Sequence, residues 1–441
     1  MSTLALCGAG VIYLFYPGYM SYDSIQQLRF AKSGVLPDAH PPLMSLIWRQ
    51  LDAIYEGPLL MLVSQVAIFA LSLLLISRSI LKYAPTSRWL VYILLIFPPV
   101  LGVAGVIWKD IWMHAFLLLS IAFILLLRDC ENRLKLTLSI GALTCLFLAT
   151  SMRHNAIFAV APLSILLFFN VIIKQEKDKN RPYLFILSTS SATTIAIFIL
   201  SIATTNYLSD IKRNFSQVVM AFDIAGTSVQ YEKNLFFNDY DELTNGDFKL
   251  EDIKSLYTPR YHACLYRPCR NNEPIVSFVQ NSSDLEKLRE NWISAILESP
   301  ISWLKHKSLV AREILNLPGS EGLWVPTLRI PIEENPWGIK YNENKIRGMF
   351  REVMSNMSTN SIYNPYLYFF ASILILISLV PLLLLRLLDA PIAMASATVL
   401  LSGLSYEFSL FLGATSADFR YSIWLIICTI LGSIFAIAAR K

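Results

Sequence analysis

The sequence predicts an α-helical polytopic membrane protein with about ten transmembrane helices and a large polar insert. Composition is the first reason: of the 441 residues, 55% are hydrophobic and 16% are charged, whereas soluble domains carry about 25% charged residues. The mean hydropathy is +0.50. A soluble protein of this composition would expose apolar surface that it could not bury, and a disordered chain requires far fewer apolar residues. The second reason is that the apolar residues form runs long enough to cross a bilayer, which takes about 20 residues.

Ten segments are predicted to span the membrane. The first, residues 4–15, is short, and we interpret it as a clipped span because no Ala-x-Ala cleavage site follows it, as a signal peptide would require. The other nine are residues 59–77, 89–107, 111–127, 136–150, 156–173, 183–204, 366–385, 391–413 and 421–439. Residues 41–55 are also apolar, but this segment is short and contains Arg49 and Asp52. We therefore expect a re-entrant or interfacial helix there.

The distribution of basic residues predicts the orientation. The net charge, 37 − 32 = +5, is modest, and we attribute it to loop lysines and arginines and not to a nucleic-acid-binding surface. With ten spans, five groups of basic residues between and after the spans fall on the same side: 78–88, 128–135, 174–181, Arg386 and 440–441. The positive-inside rule assigns that side to the cytoplasm.

The opposite side receives the large insert, so the chain divides into three parts. These are an N-terminal bundle (1–204), an outer domain of mixed or helical structure (205–363) and C-terminal transmembrane helices (364–441). Within the outer domain, the sequence predicts two amphipathic helices that are broken at Ser299-Pro300, where serine suits the helix cap and proline the first helical position.

Two cysteines lie close together in the outer domain. Cys264 and Cys269 occur in the segment CLYRPC, and on an oxidising side such a pair is expected to form a disulfide. A zinc site is the competing explanation, but with His262 as the one nearby additional ligand the set is too small.

Ionisable residues gather at the predicted outer ends of the spans, although the chain has few charges. They form four corners, namely Asp23 with His40, then Lys109-Asp110, then Arg153-His154, and finally Arg420. Ionisable groups held at or inside a bilayer are costly and commonly mark a functional site. A further carboxylate, Glu407, falls inside the ninth predicted span.

These residue types fit one chemistry. A carboxylate such as Asp23 can act as a general base on a hydroxyl, and Asp110 can orient the same nucleophile or help to hold a metal. Arg153 and Arg420 suit a phosphate, because guanidinium is always charged and binds oxyanions in a fork. A histidine at these corners can donate a proton to a departing phosphate. The set predicts group transfer from a phosphate-linked lipid at the outer surface.

Each of these residues also has a purely structural explanation. Asp23 can cap the helix that begins SYDSIQQL, as Ser21 can. Lys109 and Asp110 can form an interfacial ion pair that contributes little. The two arginines can snorkel to lipid headgroups.

The quoted corners resemble a known family. The segments YPGYMSYDSIQQL, AHPPL, VIWKDIWMHAFLLL and SMRHNAI, the large insert and the terminal DFRYSIWL resemble the GT-C-type polytopic glycosyltransferases of bacterial envelopes, which use polyprenyl-phosphate-linked sugars. The resemblance covers the first six predicted spans and the last one, whereas the insert matches only loosely, through WISAILESPISWLKHK. It implies a multi-pass protein of the bacterial inner membrane with an active site that faces the periplasm. Within the family, the nearest type is the one that adds a side sugar to O-antigen.

The resemblance implies roles for individual residues. Asp23 corresponds to the general base that acts on the acceptor, and Asp110 to the second carboxylate of the active site. Arg153, His154 and Arg420 correspond to basic groups that hold the phosphate of the donor lipid. Transfer in this superfamily is usually inverting, through a single displacement at the anomeric carbon.

Three further residues are expected to contact the acceptor or to line the pocket, namely His40, Lys109 and Glu407. The expected partners are a polyprenyl-phosphate-linked sugar, a glycan or lipid-linked acceptor and membrane lipids. No cofactor is expected, because a lipid phosphate brings its own leaving group, and no nucleotide-binding motif is present. The requirement for a divalent metal stays open, because the chain has Ser21-Tyr22 before Asp23, whereas some members of the family have an Asp-x-Asp pair there.

Two other functions compete with this one. A secondary transporter is favoured by Glu407 and by Pro98-Pro99 inside a predicted span, but transporters often show internal repeats, and we find none. An O-antigen ligase or polymerase would also use lipid-linked glycans and a large outer loop. The acidic first loop favours a single-sugar transferase.

Overall fold

The chain folds into a helical bundle with a helical insert. A computed structural model describes residues 2–38, 41–85, 87–172, 182–269, 272–323 and 331–440. The helices of the first half are α1 (Ser2–Phe15), α2 (Tyr22–Ser33), α3 (Leu43–Ile54), α4 (Leu59–Ile80), α5 (Ile93–Ile96), α6 (Pro98–Ala104), α7 (Lys109–Leu126), α8 (Asn132–Met152), α9 (Ile157–Ile172) and α10 (Pro182–Leu208). The remaining helices are α11 (Ser216–Tyr231), α12 (Leu250–Leu256), α13 (Ser282–Glu298), α14 (Pro300–Leu315), α15 (Lys345–Met357), α16 (Pro365–Leu384), α17 (Ala390–Gly413) and α18 (Ile423–Ala438). Within the described ranges the chain forms isolated β-bridges and no strand.

Eight helices of the described chain are long and apolar enough to cross a membrane: α4, α7, α8, α9, α10, α16, α17 and α18. They confirm a polytopic helical membrane protein. α7 lies at the centre of the bundle, since 78% of its apolar stretch is buried. α16 lies at the periphery, because only 11% of its apolar stretch is buried. The exposed apolar side chains of the peripheral helices are suited to contact with lipid.

Two of the ten predicted spans differ from a full-length helix. Residues 89–107 were predicted as one span, but the structure divides them into a 3₁₀ turn (Ser87–Tyr92), α5 and α6. Phe97 adopts an extended conformation with φ −66° and ψ 122°, because a residue before proline is disfavoured in the α region. α6 then restarts with Pro98 at its first position. The other difference is α1, whose 14 residues extend about 21 Å and so fall short of a bilayer core of about 30 Å.

Ion pairs and bridges identify one end of the bundle. Arg128 Nη2 lies 3.2 Å from Asp389 Oδ1, which joins the end of α7 to the start of α17. Leu388 forms a β-bridge with Arg440 beyond the end of α18. We call this the basic end, because the loops and helix ends there contain Arg78, Lys82, Arg128, Arg133, Lys135, Arg386 and Arg440. The opposite end, which we call the insert end, is where α10 stops at Leu208 and α16 begins at Pro365.

The insert has its own polar core around Asp223 on α11. The Nε1 atoms of Trp292 and Trp303 each donate to Asp223 Oδ2 over 3.1 Å, and Lys307 Nζ donates to Oδ1 over 2.5 Å. His306 contributes a fourth contact of 3.3 Å. Burial alone would raise the pKa of Asp223, but His306 and Lys307 hold it below its usual value. This carboxylate therefore fastens α11 to α13 and α14, the two helices that the sequence predicted on either side of Ser299-Pro300.

A second carboxylate of the insert, Asp284, predicts an acid-dependent stability. Its oxygens accept from the backbone N–H groups of Asp241, Glu242 and Leu243 over 2.8–2.9 Å. Burial would raise the pKa of Asp284, but these donors hold it below its usual value. Asp284→Asn is expected to lower stability at pH 7 by about 1–3 kcal/mol, because one amide NH₂ group would face backbone donors.

The pH dependence of that loss follows from linkage. A depressed carboxyl pKa stabilises the fold above the unfolded pKa of about 4 and stops doing so as the pH falls through the folded pKa. The difference in thermal midpoint between wild type and Asp284→Asn should therefore shrink below about pH 4. The exposed Asp247→Asn serves as the control and should show no such convergence. A constant difference from pH 7 to pH 3 would contradict this explanation.

Candidate functional site

Four groups that lie far apart in the sequence meet at the insert end of the bundle. Asp23 belongs to the first turn of α2 and Asp110 to the first turn of α7. Arg153 lies between α8 and α9, and Arg420 lies in a 3₁₀ turn (Phe419–Ser422) just before α18. All four are at helix ends, so their backbones are fixed by the bundle.

The four side chains form a chain of alternating charges. Arg420 Nη2 lies 2.7 Å from Asp23 Oδ2, and Arg420 Nε lies 3.9 Å from Asp110 Oδ2. The other oxygen of Asp110 pairs with Arg153 Nη1. Asp418 adds a further carboxylate, 3.6 Å from Arg420 Nε. Charge-assisted bonds of this type are strong and fix the side chains in position.

Exposure distinguishes the two carboxylates. The side chain of Asp110 is 1% exposed, whereas that of Asp23 is 31% exposed. The guanidinium of Arg153 lies 4.3 Å from the ring centre of Tyr421, and that of Arg420 lies 4.6 Å from the ring centre of Trp108. Stacking of this kind holds the planar groups. Asp110 is therefore a buried anchor, and Asp23 is the carboxylate that a ligand can reach.

Hydrogen bonds between the loop before α2 and the loop before α7 bring Asp23 beside Asp110. Trp108 Nε1 donates to Ser21 Oγ over 2.8 Å, and Ser24 Oγ donates to the Ile107 carbonyl over 2.8 Å. Tyr19 and Val106 form a parallel β-bridge. Ser21 is the N-cap residue of α2, as the sequence predicted. Asp23 instead forms an ion pair with Arg420.

The insert closes over these groups. The backbone N–H of Ala417 donates to the Arg260 carbonyl over 2.8 Å, and that of His262 donates to the Thr415 carbonyl over 2.9 Å. The ring Nδ1 of His262 also lies 3.0 Å from the Thr415 carbonyl. Burial lowers the pKa of His262, which favours the neutral ring at pH 7. The insert is thus joined to the loop that carries Arg420.

A cavity of about 690 Å³ lies between the insert and the bundle. This is within the range of small-molecule sites, about 300–1,000 Å³. Its charged lining comprises the cations Lys109, Arg153, Arg260, Arg267 and Arg420 and the carboxylates Asp23, Glu333 and Asp418. Asp110 lies behind this lining, in a small recess that it shares with Asp23, Lys109 and Arg420. The excess of cations suits an anionic ligand.

The other predicted site residues are placed differently. Lys109 lines the cavity. The ring of His154 instead contacts α10, with Nε2 3.2 Å from Thr205 Oγ1 and Nδ1 3.4 Å from Ser201 Oγ. Glu407 is buried in α17 and accepts from Ser422 Oγ over 2.8 Å. Neither His154 nor Glu407 is among the cavity-lining residues, so the structure does not bring them to the cavity. His40 lies outside the described residues.

The predicted disulfide is confirmed: Cys264 and Cys269 are bonded, with their Cα atoms 5.2 Å apart. The disulfide closes the short loop 264–269, which follows Arg260 in the chain. Within the ranges that the structure describes, no group of three or more His, Cys, Asp or Glu side chains is arranged to hold a metal ion.

The sequence interpretation missed the contribution of the insert to the cavity. Arg260, His262 and Arg267 line it, although only His262 drew attention, as a zinc ligand. The signal was the local composition of YTPRYHACLYRPC, which is rich in arginine and tyrosine beside the disulfide. His114, one helical turn beyond Asp110, was also missed; it is buried, and its ring stacks on Trp424 with centres 5.9 Å apart.

Comparison with family models, with curated proteins and with solved structures finds no match to this chain. The geometry of the cavity and the chemistry of its lining therefore carry the functional argument.

Proposed function

We propose that this protein is an inverting glycosyltransferase that moves a sugar from a polyprenyl-phosphate donor to a hydroxyl of a glycan or lipid-linked acceptor. The observation that carries the proposal is the meeting of Asp23, Asp110, Arg153 and Arg420 in one cationic site at the insert end. An arginine that only snorkels would point to lipid headgroups. Arg153 and Arg420 are instead paired with the buried Asp110 and the half-buried Asp23.

The proposed reaction is a single displacement. Asp23 takes the proton of the acceptor hydroxyl, and the hydroxyl oxygen forms a bond to the anomeric carbon of the donor sugar. The bond between that carbon and the phosphate oxygen breaks, and polyprenyl phosphate leaves with the additional negative charge. Lys109, Arg153 and Arg420 stabilise this charge in the transition state.

The ion pair between Asp23 and Arg420 links the availability of the base to binding of the donor. Arg420 Nη2 lies 2.7 Å from Asp23 Oδ2, so the carboxylate that would take the proton is held in an ion pair. A donor phosphate that binds Arg420 competes for the same guanidinium. Binding of the donor phosphate therefore weakens the ion pair and frees the Asp23 carboxylate to take the proton of the acceptor hydroxyl.

The proposed location is the bacterial inner membrane, with the cavity facing the periplasm. Arginines and lysines of the loops lie at the basic end, which the positive-inside rule assigns to the cytoplasm. The disulfide between Cys264 and Cys269 lies at the insert end, and disulfides persist in the periplasm. Two independent features thus support the same orientation.

A transfer assay tests the proposed function. The purified full chain in lipid nanodiscs is incubated with polyprenyl-phosphate hexoses labelled in the sugar, together with lipopolysaccharide or lipid-linked glycans. Label is expected to appear in the glycan in step with released polyprenyl phosphate. Absence of transfer from every donor, combined with uptake of a small solute into vesicles that contain the protein, would replace the transferase by a transporter. Transfer of a whole preassembled glycan would indicate a ligase or polymerase.

A further inference from the structure

Three aromatic rings of the insert form a continuous surface in the cavity. Phe215 and Phe278 stack with centres 6.3 Å apart and an angle of 28° between their planes. Phe278 and Tyr266 lie closer, 4.6 Å apart at 32°. All three line the cavity that Asp23 and Arg420 also line. We call these three residues the aromatic shelf.

The shelf is exposed where burial would be expected. Phe278 is 53% exposed and Phe215 is 41% exposed, although each phenyl ring would gain roughly 25 cal/mol per Å² of apolar surface removed from water. Clustered apolar exposure in a concave site is typical of a ligand surface. The remaining lining combines eight charged side chains with small apolar residues such as Val219 and Ala263, so the shelf is an apolar platform that shares the cavity with charged groups.

The shelf is held rigidly from behind by Gln217 on α11. The amide of Gln217 donates to the Val279 carbonyl over 3.1 Å and accepts from the Val279 N–H over 3.0 Å. The hydroxyl of Tyr266 donates to the Gln217 carbonyl over 3.3 Å. Gln217 is fully buried. One glutamine therefore fixes the backbone beside Phe278 and the ring of Tyr266 relative to α11, and a preorganised surface of this kind favours binding.

The chemistry around the shelf matches a sugar ring. A pyranose has one face of C–H groups with partial positive charge, which complements the negative face of an aromatic ring, while its hydroxyls need polar partners at the edges. Arg260, His262 and Arg267 supply such partners in the same cavity. A polyprenyl tail has no hydroxyls to satisfy and gains nothing from guanidinium groups.

We propose that the aromatic shelf binds a sugar ring of the acceptor glycan and presents its hydroxyl to Asp23. This rests on the proposed function, and it assigns the two substrates to different parts of the cavity. The donor phosphate takes the arginines of the bundle, and the acceptor takes the shelf of the insert.

A binding experiment tests the shelf without turnover. Saturation-transfer difference NMR on the full chain in nanodiscs uses a panel of methyl glycosides of hexoses, 6-deoxyhexoses and N-acetylhexosamines. We expect saturation of the C–H face of at least one glycoside, loss of the signal in Phe278→Ala and recovery in Phe278→Trp. Phe278→Leu keeps apolar bulk without a π face, so it covers the case in which the alanine variant misfolds. Absence of saturation from every glycoside, or equal signals in wild type and Phe278→Leu, would overturn the proposal.

Kinetics then separate the two substrates. Phe278→Ala is expected to raise the acceptor KM about tenfold, which corresponds to loss of one aromatic contact, and to leave the donor KM unchanged. The matched control is Tyr231→Ala, since Tyr231 is 40% exposed at the other end of α11 and does not line the cavity. A rise in the donor KM alone would assign the shelf to the donor lipid. Glycoside binding by a wild-type chain that transfers no sugar would retain the shelf and reject the transferase.

Discussion

Replacing Asp23 by asparagine is expected to reduce kcat for sugar transfer by about 10²–10⁴-fold, the usual contribution of a positioned general base. Asparagine has nearly the same shape but cannot take the proton of the acceptor hydroxyl. The fold should survive, because Asp23 is 31% exposed and Arg420 keeps Asp418 and Asp110 as neighbours.

The effect of Asp23→Asn on donor binding distinguishes a base from a binding residue. In the proposed reaction, the donor phosphate competes for Arg420 with Asp23, whose Oδ2 lies 2.7 Å from Arg420 Nη2. Removal of the competing charge should leave the donor Kd unchanged or make it tighter, while kcat falls. Stopped turnover with undiminished binding of a fluorescent polyprenyl-phosphate sugar is therefore the expected pattern.

The control for this variant is Asp247→Asn, an exposed carboxylate of the insert that does not line the cavity. It should transfer at the wild-type rate. Wild-type kcat in a folded Asp23→Asn protein would remove the base role. A loss that appears only in the donor KM would make Asp23 a phosphate-positioning group.

The sequence predicted most of the bundle because crossing a bilayer imposes a long apolar run. It failed at 89–107, where composition is apolar throughout but Pro98 forces Phe97 out of the helix. Hydropathy averages over a window and does not detect one backbone conformation. The break was visible only as Pro98-Pro99, which we interpreted as a feature of a transporter.

The site was predictable in its bundle part and not in its insert part. Short loops place Asp23, Asp110 and Arg420 at the same end by topology alone. The side to which a residue points is not fixed by topology, and for that reason His154 turned out to contact α10 and not the cavity. Arg260 reaches the site through a β-bridge between Tyr261 and Ser416, a long-range pairing for which the sequence contains no periodic signal.

The buried pair of Arg153 and Asp110 gives the second large prediction. Asp110 is 1% exposed, and its next cation, Arg420, is 3.9 Å away. Arg153→Met retains an unbranched apolar stem but removes the guanidinium, so it leaves a buried carboxylate without its main partner. Such a change costs about 3–5 kcal/mol, and we expect a corresponding drop in the thermal midpoint of the purified chain, together with loss of transfer.

A double variant separates folding from catalysis at this pair. Asp110→Asn combined with Arg153→Met removes both charges, so most of the lost stability should return, since a buried ion pair is often replaceable by neutral groups. Transfer should stay absent, because the phosphate clamp is still missing. Arg128→Met is the comparison, because its partner Asp389 at the basic end is 35% exposed and stays hydrated when the arginine is removed, so this variant should lose only about 0–1 kcal/mol. A double variant that regains activity would make Arg153 a structural partner of Asp110 and would leave Arg420 and Lys109 to bind the donor phosphate. A double variant that stays as unstable as Arg153→Met would show that the instability does not come from the unpaired charge.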